Sequence, residues 1–80
     1  MHEGHLTKTL SDVITREFAS TGAKRLKSVT LALGEASGIE PESVRFYLAQ
    51  FLKDPAMKDT EVIIERLDGT GVEVVSIETE

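Results

Sequence analysis

Between Arg25 and Leu33 the apolar residues Val29, Leu31 and Leu33 alternate with Ser28, Thr30 and Ala32, a period of two that only an extended strand places on one face. A strand patterned this way must bury its apolar side, so it is expected to be long and central. The segments before and after it supply the cover. Upstream, Leu6, Leu10, Val13, Ile14 and Phe18 fall at spacings of four, three, one and four, which is one stripe of an amphipathic helix. Thr7, Lys8, Asp12, Arg16 and Glu17 fall largely off that stripe, and Gly22 reads as the residue that ends the helix in a left-handed cap. Downstream, Gly34, Ser37 and Gly38 mark a loop, and Pro41 opens a second helix at its first position, where a missing N–H is no loss. Val44, Tyr47, Leu48, Phe51 and Leu52 form its apolar stripe, with Asp54-Pro55 as the stop.

The remainder is β-patterned. Glu61 to Leu67 carries the β-branched run Val62-Ile63-Ile64, and Val72 to Thr79 follows as another strand. Between them, Asp68-Gly69-Thr70-Gly71 has the length and residue types of a hairpin turn. The order α-β-α-β-β contains one β-α-β unit, which calls for parallel strands joined by a right-handed crossover. The expected fold is α/β in the broad sense (α+β), a three-stranded mixed sheet with two helices packed on one face. One face and both edges then stay open, and the charges of Glu61, Glu65, Arg66, Glu73, Glu78 and Glu80 read as guards against edge pairing. The assembly expected is a monomer or a weak homodimer.

Composition narrows the function. Eighty residues suffice for a single domain over 1–80. Nine basic against fourteen acidic residues give a net charge of −5, which opposes binding to a phosphate backbone, and Lys24, Arg25 and Lys27 are too few to reverse it. No apolar run approaches the roughly 18 residues of a membrane span, and no basic and apolar leader precedes the first helix, so a cytoplasmic location is expected. The chain has no cysteine, so a metal can be held only by nitrogen and oxygen donors. No nucleophile with a partner base and no phosphate-cradling glycine loop is visible, which argues against an enzyme.

The chemistry that remains is concentrated in Met1-His2-Glu3-Gly4-His5. An α-amine, the first peptide nitrogen and the His2 imidazole can chelate one ion, with Glu3 or His5 completing the set. Planar or tetragonal nitrogen and oxygen sites favour Ni(II) or Cu(II). The helix dipole repels cations at this end, so binding there needs deprotonated amides or carboxylate charge and is strongly pH-dependent. Two histidines near a terminus are also what an ordinary solvated end carries.

Longer stretches carry a resemblance. Met1-His2-Glu3, the helix exit Gly22-Ala23-Lys24-Arg25, the run Leu33-Gly34-Glu35-Ala36-Ser37-Gly38-Ile39 and Pro41-Glu42-Ser43-Val44-Arg45-Phe46 together resemble the HypA/HybF family of hydrogenase-maturation nickel chaperones. The match in order and spacing runs through about the first 67 residues, and Gly71 to Glu80 is similar to that family's last strand. The resemblance implies a nickel-binding domain in which His2 and Glu3 supply donors, with the Met1 amine and backbone amides as co-ligands. His5 is then either an extra ligand or none. The family inserts a zinc domain, held by two Cys-x-x-Cys pairs, between its last two strands; here Asp68 to Gly71 stand in its place, so no zinc is expected. The implied function is a Ni(II) metallochaperone for a nickel enzyme such as [NiFe] hydrogenase or urease. Its implied partners are a maturation GTPase or the apoenzyme, with no nucleic acid and no membrane. The alternative is a metal-independent adaptor or assembly factor that keeps the same interaction surface.

Overall fold

The alternating segment lies in the middle of the sheet. The computed structural model describes residues 3–80, Glu3 by its backbone alone. Its elements are α1 (Glu3–Thr21), β1 (Leu26–Gly34), α2 (Pro41–Phe51), β2 (Glu61–Leu67) and β3 (Val72–Thr79). β1 pairs in parallel with β2, from Ser28 opposite Glu61 to Gly34 opposite Leu67. On its other edge it pairs antiparallel with β3, with Val29 opposite Ile77 and Leu33 opposite Val72. The strand order is therefore β2-β1-β3, a mixed sheet with β1 bonded on both sides.

Both helices cover the same face. Val29 and Leu31 of β1 pack with Ile14 of α1 and with Val44 and Leu48 of α2, all essentially inaccessible to water. Burial of each such side chain is worth about 1.5–3 kcal/mol. Leu26, Leu52 and Met57 close one end of this core, while Val62, Ile64, Val74 and Ile77 bring in the flanking strands. Among the described residues no helix is long and apolar enough to cross a membrane.

Three local expectations are corrected. The hairpin does not exist: β2 and β3 are not neighbours, and Asp68 to Gly71 instead carries the chain across the end of β1. Three backbone bonds fasten this crossing, from Gly34 N–H to Gly71 C=O (2.7 Å), Glu35 N–H to Leu67 C=O (2.7 Å) and Ala36 N–H to Gly69 C=O (2.8 Å). The physical reason is burial. The most apolar strand gains most from the centre, and the charged strands tolerate the edges.

The second correction concerns α1, whose buried arc runs through Thr7, Leu10, Ser11 and Ile14, with Leu6 and Val13 only half-buried beside it. Thr7 was expected on the solvent side. α1 packs against α2 as well as β3, so its covered arc is wider than the apolar stripe, and small residues allow close approach. Ser11 stays satisfied by donating its hydroxyl to Lys8 C=O at 2.7 Å. Third, α2 ends at Phe51, which is exposed, while Leu52 is buried and donates its N–H to Leu48 C=O as the C-cap.

Gly34 is where the crossing is tightest. A Cβ there would overlap the Gly69 carbonyl oxygen and sit 2.9 Å from that of Gly71, both backbone atoms. Gly34→Ala is expected to lower stability by about 1–3 kcal/mol in urea unfolding, through overpacking. At Gly71 an added Cβ meets nothing within 4 Å, so Gly71→Ala is expected to stay within about 0.5 kcal/mol of the parent.

Candidate metal centre

The donor-rich end of the chain leads directly into α1. The helix opens at Glu3, and the first N–H groups of any helix have no intrahelical acceptor. Amide nitrogens in this turn can therefore turn to a ligand without breaking a helix bond. The His5 imidazole is exposed, and its carbonyl accepts the Thr9 hydroxyl at 3.3 Å. Met1 and His2 lie outside the described residues. Among the described residues no three His, Asp or Glu side chains converge on a point.

What the fold adds is the setting of this turn. A Cβ built at Gly4 would be 3.5 Å from Cε1 of Tyr47, ordinary van der Waals contact, so the backbone of the first turn lies close against the α2 ring. Tyr47 in turn meets Phe46 edge-on, with ring centroids 5.3 Å apart. One turn further on, Leu6 lines an open cavity of about 310 Å³ with Ser37 and Ile39 from the β1–α2 loop and Thr70 and Val72 from the crossing. The start of α1 therefore sits at the end of the sheet where these two connections meet.

Ser37 and Gly38 shape that neighbourhood locally. The Ser37 N–H donates to Gly34 C=O at 3.0 Å and its hydroxyl oxygen accepts the Ile39 N–H at 3.2 Å, while Gly38 takes φ 78, a left-handed conformation that favours glycine. Tyr47 read in the sequence only as one member of an apolar stripe. The signal that could have singled it out is the small Gly4 in a helix's first turn, which leaves room for a ring.

A family model described as hydrogenase/urease nickel incorporation, metallochaperone, hypA matches residues 1–72. The chain is similar to hydrogenase maturation factor HypA of Geobacter metallireducens, 30% identical over 71 residues, covering 89% of this chain and 62% of that protein. Hydrogenase maturation factor HypA of Azoarcus sp. (strain BH72) is 34% identical over 71 residues, with the same 89% and 62% coverage. The chain thus spans about three fifths of the length of these curated relatives. In fold it resembles the solution structure of the Ni metallochaperone HypA from Helicobacter pylori, with TM-score 0.72 at 18% identity, covering 95% of this chain and 72% of that one. It also resembles a solution structure of HypA protein, with TM-score 0.80 at 14% identity, covering 100% of this chain and 97% of the other.

The Tyr47 contact is testable without metal. Tyr47→Ala removes a half-buried ring worth about 1–2 kcal/mol from beneath the first turn. Amide exchange in residues 7–10 is expected to accelerate about tenfold, while the β1 amides keep their protection.

Proposed function

The chain belongs to the HypA family of hydrogenase/urease nickel-incorporation metallochaperones, and from that premise we propose that residues 1–80 form one nickel-binding domain whose N-terminal turn holds a single Ni(II) as cargo. The Met1 amine, a backbone amide, the His2 imidazole and the Glu3 carboxylate are the donors. His5 is at most an additional donor. The observation that carries this reading is that the family match begins at residue 1 and so includes Met1-His2-Glu3.

The donor set fits the ion. Nitrogen-rich sites with a carboxylate suit Ni(II), and without cysteine this chain offers no thiolate for a zinc cluster. Deprotonated amide and carboxylate charge offsets the positive helix end. A helix start has amide nitrogens to spare. Proteins of this family are maturation factors, not enzymes. The task proposed here is accordingly transfer: ligands at a chain end can be exchanged one at a time with a recipient, a maturation GTPase or the apoprotein of a hydrogenase or urease.

The reading is tested by Ni(II) titration, followed by calorimetry and absorbance, of protein with its native Met1. One ion per chain with a planar d–d band is expected. His2→Ala, and a version extended by one residue before Met1, are each expected to weaken binding at least about tenfold, while His5→Ala weakens it less than His2→Ala. Equal behaviour of all forms would overturn the nickel site and leave the adaptor reading.

A further inference from the structure

Along one flank of α2, an open cavity of about 240 Å³ lies between the helix and the edge strand β2. Its floor is apolar, built by Leu48, Leu52, Met57 and Val62, and its rim carries Arg45 and Lys58. None of the lining residues is acidic, although the chain as a whole has a net charge of −5. Two cations beside an apolar floor are therefore set apart from the prevailing charge.

The position along β2 adds a second constraint. β2 has a neighbour on one side only, so alternate backbone groups on its outer edge have no strand beside them. Arg45 donates from Nη1 to the Val62 carbonyl, which shows that this carbonyl faces outward. The same guanidinium has only a loose ion pair, Nε to the highly exposed Glu42 at 3.6 Å. An edge strand, an apolar pit and two rim cations thus run side by side.

We propose that this groove docks an extended acidic segment of a partner protein, with an apolar side chain in the pit and adjacent carboxylates on Arg45 and Lys58. Charge complementarity selects the occupant: a basic segment would meet two like charges, whereas an acidic one meets two opposite charges in a chain that otherwise repels it. The main chain of such a segment can pair with the outer edge of β2, taking the Val62 carbonyl as Arg45 turns to a carboxylate, while alternate side chains face the pit. This surface is distinct from the first turn of α1 and does not depend on nickel.

The test uses metal-free, ¹⁵N-labelled protein and the peptide acetyl-Glu-Val-Leu-Glu-amide, with acetyl-Lys-Val-Leu-Lys-amide as its charge-reversed partner. The acidic peptide is expected to give saturable shifts confined to amides of residues 45–52 and 57–64, and the basic peptide none there. Arg45→Gln with Lys58→Gln should weaken binding about five-fold, while the charge-matched control Lys24→Gln with Lys53→Gln should change it less than about two-fold. Ala49→Trp, which fills the pit from an exposed helix position and keeps both cations, should abolish the shifts. The proposal is overturned if no saturable shift occurs, if both peptides act alike, if the two double variants weaken binding equally, or if Ala49→Trp binds normally. It is also overturned if dilution of the protein alone moves the same amides, because a second copy then occupies the groove.

Discussion

β1 is bonded along both of its edges, and everything else in the molecule is placed relative to it. Its parallel pairing with β2 requires a long crossover, which α2 provides, and its antiparallel pairing with β3 requires the chain to pass from one edge of the sheet to the other. That passage goes over the end of β1 at Gly34, where the Gly69 and Gly71 carbonyls come so close that no side chain fits. Three short backbone bonds turn the passage into a clamp. The two edge strands are thereby tied to one another through a strand that separates them.

The clamp also fixes what surrounds the start of α1. The β1–α2 loop leaves the sheet at the same end as the crossing, and Leu6 packs toward both. Tyr47, carried by α2, reaches the backbone of Gly4. The first turn is thus supported from below while His5 stays in solvent. The proposed nickel site relies on this combination: enough support to hold donors near one another, and enough exposure for a recipient to reach them.

The open face of the sheet has a different character from the helix-covered one. Ser28 and Ala32 on β1 are buried although no helix covers them, because longer side chains of the neighbouring strands rise on either side. Ser28 donates its hydroxyl to Glu78 Oε1 at 2.9 Å, which ties β3 to β1 by a side-chain bond as well as by the ladder. Register puts Glu61, Glu65, Glu73 and Glu78 on this side, so much of the negative charge is gathered there. Carboxylates in such numbers discourage two copies from stacking face to face.

Element identity was legible because it is local. Periods of two and near 3.6, Pro41 at a helix start and Gly22 at a helix end depend only on a few neighbouring residues, and they located all three strands within a residue and both helices within about three. The proposed donors Met1, His2, Glu3 and His5 and the absence of cysteine were read in the same local way. Strand order was not, because Asp68 to Gly71 satisfies the local demands of a hairpin and of a crossing equally well. The choice was made by which strand gains most from burial at the centre, a comparison among segments far apart in the chain. The same holds for the burial of Thr7 and Ser11, the exposure of Phe51 and the Tyr47 ring beneath Gly4. Each depends on how two elements approach in space, and a sequence period records the direction of a side chain but not what it meets.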